Sequence, residues 1–152
     1  MTRAEKAKDL FYQGYACSQA VVLAFSDIVD IDEKTLKKIS LPFGGGIGRM
    51  RLTCGAFSGM LMIVSLIFSN YEDVEENKIK TYEIVQELAK RFEQANQTLS
   101  CEGLLEIAKI EVEKSGNPEH RTEEYYKKRP CGNLVYSAAN ILEQYLIEKK
   151  VL

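Results

Sequence analysis

Hydrophobic and polar residues follow one another along this chain with the spacing of an α-helix. In the segment 4–13, Ala7, Leu10 and Phe11 share one face, while the charged residues between them face water. The same pattern predicts helices over 19–29, 30–40, 77–97, 103–112 and 133–148. The inner stripe predicted for 77–97 consists of Ile79, Tyr82, Ile84, Val85, Leu88, Ala89 and Phe92. No stretch shows the strict alternation of a β-strand, and no internal repeat is visible. The pattern therefore predicts an all-α protein.

The segment 56–68 is different because it has almost no polar face. Only Ser58 and Ser65 interrupt it, and a helix that is apolar on all sides lies inside a core or a membrane. The run is shorter than the roughly 18–20 residues that span a bilayer. We therefore predict a multi-helix bundle around a buried central helix at about 54–69, with Thr53 as its N-cap.

Length and composition indicate an ordinary globular protein. The chain has 152 residues, of which 45% are hydrophobic and 28% charged, so we expect a single domain over 1–152. A net charge of −2 gives no electrostatic reason to bind nucleic acid or an anionic membrane. The N-terminal segment 1–11 lacks the apolar stretch of a secretory signal, which favours a cytoplasmic protein with no membrane insertion.

Candidate chemistry is concentrated at the four cysteines, Cys17, Cys54, Cys101 and Cys131. Each lies within a residue or two of a predicted helix start, where unpaired N–H groups and the helix dipole favour a thiolate. Four such sulfurs suit thiol–disulfide chemistry, an iron–sulfur cluster or a tetrahedral metal site. The chain has no C-x-x-C pair, so a shared site would have to be assembled from four separate helix ends. The only histidine, His120, is expected on the surface.

A glycine-rich segment precedes the central helix and is followed by two arginines. It lacks the lysine and Ser/Thr of a P-loop, and no strand precedes it, so neither a phosphate loop nor a dinucleotide fingerprint is indicated. The glycines either allow close approach to a cysteine or cofactor, with an arginine supporting a thiolate, or form a tight connector. The candidate cofactor-binding residues are Gly44, Gly45, Gly46, Gly48, Arg49, Arg51 and Gly55.

The ordered set of cysteines, together with the segment Cys54-Gly55-Ala56-Phe57-Ser58-Gly59, resembles the C_GCAxxG_C_C family. That family is named for four cysteines and a CGAxxG signature and is described as redox-active. The resemblance covers nearly the whole chain. It implies redox activity, in some members with a suspected prosthetic group such as an iron–sulfur cluster, and it implies no particular substrate.

These observations lead to one hypothesis and its alternatives. In the hypothesis the four cysteines form a redox centre or ligate a cluster, with Cys54 the most reactive sulfur and Cys17, Cys101 and Cys131 its ligands or resolving partners. The protein would then be an oxidoreductase or an electron-transfer component with a redox partner that the sequence does not specify. The alternatives are a structural zinc site and a non-catalytic helical interaction protein with incidental cysteines. The oligomeric state is left open.

Overall fold

The computed structural model describes all 152 residues and contains eight α-helices and no strand. Short 3₁₀ turns lie at Ser26–Ile28 and Leu41–Phe43, and the only extended pairing is an isolated bridge between Thr53 and Ser100. The predicted all-α, single-domain fold is confirmed. The helices are α1 Arg3–Tyr12, α2 Cys17–Ala24, α3 Glu33–Ser40, α4 Gly55–Phe68, α5 Val74–Asn96, α6 Cys101–Ile107, α7 Glu123–Lys128 and α8 Cys131–Glu148.

Helix α4 is the central helix that the apolar run predicts. It packs against α2, α5 and α8, and its first three turns bury Phe57, Met60 and Ile63 almost completely. Its last turn reaches the surface, where Leu66 is 39% exposed. The N-terminal end of α4, which carries the signature cysteine, is therefore the end held inside the protein.

Several helix boundaries differ from the predicted ones for local reasons. Helix α2 ends at Ala24, because the chain tightens into a 3₁₀ turn before Val29. The charged segment before Cys131 forms α7, which the sequence did not predict; the Thr122 side chain caps it by accepting from the backbone N–H of Tyr125. Helix α6 ends at Ile107 instead of near residue 112.

The long helix α5 packs along only part of its length. Leu88 and Phe92 are fully buried, whereas Ile79 and Tyr82, which the periodicity assigned to the inner face, are exposed. That part of the predicted stripe is wrong, since the N-terminal half of α5 extends beyond the helices that could cover it. None of the helices is both long and apolar enough to cross a bilayer.

Close packing between α2 and α4 depends on Gly59. A Cβ atom at this position would lie 2.7 Å from the carbonyl oxygen of Ser18 and 3.1 Å from Cβ of Val21. The backbone of α2 therefore occupies the space that any side chain at Gly59 would need. This contact fixes the distance between the helices that carry Cys17 and Cys54.

Replacing Gly59 with alanine should reverse the usual effect of a helical Gly→Ala change. Alanine normally stabilises a helix interior by roughly 1 kcal/mol, but here the clash with Ser18 should lower the free energy of unfolding by about 1–3 kcal/mol. Urea denaturation measures it. Gly116→Ala is the control, because a Cβ there meets nothing within 4 Å. Equal stability of the two variants would contradict the packing argument.

Candidate functional site

A cavity of about 290 Å³ lies where the N-terminal ends of α2, α4, α6 and α8 meet. Each of these helices contributes one cysteine to its wall: Cys17, Cys101 and Cys131 are first residues, and Cys54 is the N-cap of α4. The predicted position of every cysteine at a helix start is confirmed, although Cys54 and not Thr53 takes the cap position. All four are free thiols, and all four line this one cavity.

Main-chain pairing joins the segments that lead into α4 and α6. The backbone N–H of Cys54 donates to the carbonyl of Leu99 at 2.7 Å, and that of Cys101 donates to the carbonyl of Leu52 at 2.6 Å. These two bonds flank the Thr53–Ser100 bridge. These bonds hold the start of α4 next to the start of α6, although the two helices are far apart in sequence.

Two glycines allow the backbone to approach the cysteines closely. A Cβ on Gly55 would lie 2.5 Å from Sγ of Cys17, and a Cβ on Gly46 would lie 2.6 Å from Cβ of Cys101. The sequence left two interpretations of the glycine-rich segment, a tight connector or a close approach of its backbone to a cysteine. The geometry fits the close approach. The cysteine approached by the loop is Cys101, and the one approached by the signature glycine is Cys17.

The loop between α3 and α4 winds with left-handed backbone angles. Positive φ values of 56–69° occur at the three glycines after Gly44 and also at Ile47, Arg49 and Arg51. A residue with a side chain loses roughly 1–2 kcal/mol in this conformation. Such strain persists where the surrounding structure requires it, and functional sites are frequent examples. Here it accompanies two arginines that both line the cavity.

Four arginines line the cavity, and only one carboxylate accompanies them. The arginines are Arg49, Arg51, Arg121 and Arg129, and the carboxylate is that of Glu119. The Glu119 Oε1 atom accepts from Arg129 and lies 3.7 Å from Nη2 of Arg49. The cavity wall is therefore strongly electropositive.

The other two cavity arginines are bound mainly to backbone carbonyls. Arg121 donates to the carbonyls of Phe11 at 2.9 Å and Tyr15 at 2.8 Å. Arg51 donates to the carbonyl of Glu113 at 2.9 Å, and its Nη1 lies 3.9 Å from Sγ of Cys101. Neither forms an ion pair with a carboxylate, so both leave positive charge facing the cavity.

Burial raises the pKa of the Cys54, Cys101 and Cys131 thiols, that of Cys131 to about 12. A negative charge on the neighbouring Cys17 would raise each of them further. The expectation that helix starts hold these sulfurs as thiolates is therefore wrong for these three. Removal of a charged sulfur from water outweighs the attraction of the helix N-terminus.

Local hydrogen-bond donors oppose this effect without overcoming it. At Cys54 the backbone N–H groups of Phe57 and Ala56 lower the pKa, although burial dominates. At Cys101 the Arg51 guanidinium lowers the pKa, again against a larger effect of burial. The expected arginine support for a thiolate is thus present, but it acts on Cys101. Cys54, chosen from the sequence as the most reactive sulfur, is one of the three whose pKa is raised by burial.

No three His, Cys, Asp or Glu side chains lie close enough together to hold a single metal ion. The four sulfurs surround the cavity instead of converging on one point. His120 lies on the surface, as expected, and is not part of the cavity wall.

Six of the seven residues predicted to bind a cofactor line the cavity, and Gly46 is the exception. It packs against Cβ of Cys101 and the backbone of Arg51 and Leu52. The cofactor-binding roles of all seven stay predictions. Sequence reasoning missed Arg121, Arg129, Glu119 and Tyr125, which also line the cavity. The only signal was the proximity of Arg129 to Cys131 in sequence.

Comparison with known families assigns the chain. A family model described as "Putative redox-active protein (C_GCAxxG_C_C)" matches residues 15–145, which include all four cysteines and the glycine-rich loop. The chain belongs to this family. Searches of curated proteins and of solved structures found no match.

The raised pKa values predict slow alkylation in the folded, metal-free protein at pH 8. Cys131, with a pKa of about 12, should react with iodoacetamide at least about a hundredfold more slowly than a cysteine of ordinary pKa near 8.5. Its rate should rise roughly tenfold per pH unit up to pH 11, as the thiolate fraction grows. Mass spectrometry of timed samples measures each site, and the guanidinium-unfolded chain is the control. Equal rates in the folded and unfolded chains would contradict the burial argument.

Proposed function

We propose that this member of the C_GCAxxG_C_C family is an electron-transfer protein that holds an iron–sulfur cluster on Cys17, Cys54, Cys101 and Cys131. The observation that carries the proposal is that every cysteine of the chain lines the same electropositive cavity. Four cysteine thiolates are the usual ligand set of such clusters. In this role the protein would exchange electrons with a redox partner in the cytoplasm, where thiols are kept reduced.

The shape of the cavity supports a cluster over a single ion. Ligands of one zinc ion converge on a point, with Zn–S distances of about 2.3 Å, and no three candidate ligands are grouped in this way. Ligands of a cluster bind different irons and are therefore more widely spaced. The missing Cβ atoms of Gly55 and Gly46 leave Cys17 and Cys101 the room they occupy at the cavity wall.

The protonation of the sulfurs supports a ligand role over a nucleophilic one. Exchange reactions need a thiolate at ambient pH, and three of these thiols have raised pKa values. A metal, in contrast, deprotonates the thiol that coordinates it. The cavity arginines would then compensate the negative charge of the ligands, and Arg51, at 3.9 Å from Sγ of Cys101, is placed to tune it.

A bound cluster would supply one-electron redox chemistry, with a potential set by charge, hydrogen bonds to the sulfurs and solvent exposure. The chain controls these quantities through the buried position of Cys54 and Cys101, which are 5% and 8% exposed, and through the arginines around them. Burial protects these two sulfurs from water, while the half-buried Cys17 lies nearer the surface.

Anaerobic reconstitution with ferrous iron and sulfide tests the proposal. The wild-type protein should develop broad visible absorbance and retain iron and sulfide, and each single Cys→Ser variant should lose most of both. Ser58→Ala is the control, since Ser58 lies on the same helix as Cys54 but outside the cavity wall. Circular dichroism verifies that each variant folds.

Two results of the reconstitution would overturn the cluster. A colourless protein that retains one zinc per chain would indicate a structural metal site. Absorbance that survives the loss of Cys17 and Cys54 together would show that iron binds elsewhere.

A second candidate function, dithiol–disulfide exchange, is favoured by the position of Cys17. A charge on Cys17 would raise the pKa of Cys54, Cys101 and Cys131 alike, so this half-buried sulfur neighbours three possible partners. In this reaction two thiols form one S–S bond, and they give two electrons and two protons to a disulfide oxidant such as oxidised glutathione.

Thiol titration after such oxidation separates the two functions. Exchange chemistry predicts the loss of two or four thiols from the metal-free wild-type protein, and a smaller loss in Cys17→Ser. Reduction with dithiothreitol should restore them. If all four thiols persist at every oxidant concentration, the exchange function is wrong and cluster ligation is the function that the cavity supports.

A further inference from the structure

The cavity contains more positive charge than its own carboxylate can neutralise. Four guanidinium groups line it, and Glu119 is the single acidic side chain in its wall. Glu119 pairs with Arg129 and lies at a longer distance from Arg49. Buried charges are stable only when paired and hydrogen-bonded, so an electropositive cavity of this kind attracts an anion.

Arg49 is the arginine with a donor left free. The residue is 9% exposed, and its Nη1 donates to the carbonyl of Ser115 at 2.8 Å and to that of Asn117. Its Nη2 is buried and has no hydrogen-bond partner; the nearest acidic atom, Oε1 of Glu119, is 3.7 Å away. A buried donor without an acceptor destabilises the folded protein, and a bound oxygen atom would satisfy this donor.

The position of Arg49 is maintained against backbone strain. Its φ of 66° is left-handed, and the Nη1 bonds to Ser115 and Asn117 hold its guanidinium beneath the loop that follows α6. On the same loop, Glu119 and Gly116 form part of the cavity wall. The free Nη2 donor is therefore held at the arginine side of the cavity.

The size and chemistry of this part of the cavity define what it can bind. A volume of about 290 Å³ is close to the roughly 300 Å³ at the lower end of small-molecule sites. A planar guanidinium matches the oxygens of a carboxylate or phosphate group and binds them through two parallel hydrogen bonds.

We propose that Arg49 and Arg129 form a binding site for a small oxyanion, a carboxylate or phosphate group, on the arginine side of the cysteine-lined cavity. Glu119 competes with this ligand, because its carboxylate lies between the same two guanidinium groups. The site does not depend on a metal, so the proposal goes beyond the cluster assignment and can succeed or fail without it.

Titration of the metal-free full-length protein with inorganic phosphate, at constant ionic strength, tests the site by calorimetry and by the shift of the thermal midpoint. Arg49→Gln should weaken binding at least about tenfold, because a charge-assisted hydrogen bond to the anion is lost. Glu119→Gln should tighten binding about threefold or more, because the competing carboxylate is gone. Acetate in place of phosphate shows which oxyanion is preferred.

Arg91→Gln is the matched control and should leave binding unchanged. Arg91 pairs with Glu87 on α5 and with Glu148 at the C-terminal end of α8, and none of these residues lines the cavity. The control also corrects for the general stabilisation that phosphate gives to any folded protein by its exclusion from protein surfaces.

Three results would overturn the proposal: no saturable binding to the wild-type protein, equal affinities of Arg49→Gln and Arg91→Gln for phosphate, or no gain in affinity in Glu119→Gln. If Arg49→Gln does not fold, Glu119→Gln decides. The same titration of reconstituted protein separates the two proposals, since absorbance reports the cluster and calorimetry the anion.

Discussion

The site depends on the hydrogen bonds that join the approaches to α4 and α6. The backbone N–H of Cys54 donates to the carbonyl of Leu99, and the backbone N–H of Cys101 donates to the carbonyl of Leu52. Without this pairing the two helix starts would be independent ends of a bundle. With it, the strained glycine loop is held over Cys101, and its arginines are held at the cavity. The packing of α2 against Gly59 then adds Cys17 to the same place.

The chemistry of the cysteines follows from competition between two effects at one location. A helix N-terminus stabilises a nearby anion by roughly 0.3–2 kcal/mol, and each pKa unit corresponds to about 1.4 kcal/mol. Burial acts in the opposite direction and dominates at Cys54, Cys101 and Cys131. These thiols therefore stay protonated until something in the cavity stabilises their charged form. A metal does so directly, and this makes the sulfurs better suited to ligation than to attack.

Local patterns predicted the fold better than they predicted the site. Helical periodicity located most of the helices, and the spacing of the cysteines placed each of them at a helix start. Periodicity could not show that Ile79 and Tyr82 lie beyond the reach of neighbouring helices, because that depends on where the other elements end. Arg121 and Arg129 were missed for a similar reason: they reach the cavity through the loop and helix α7, which have no motif. The ionisation state was predicted wrongly, since sequence shows the helix start but not the depth of burial.

The two proposed occupants of the cavity are linked through the arginines. Four ionised cysteines around a cluster and one bound oxyanion would both draw on the positive charge of Arg49, Arg51, Arg121 and Arg129, which only Glu119 reduces. Because the same arginines would stabilise both ligands, the binding of one ligand changes the affinity for the other, and the change is equal in both directions. Protonated thiols leave the arginines free for an oxyanion, while ligated thiolates compete for them. Reduction of a cluster adds a further negative charge, so it should weaken an oxyanion at Arg49, and a bound oxyanion should by the same amount disfavour reduction.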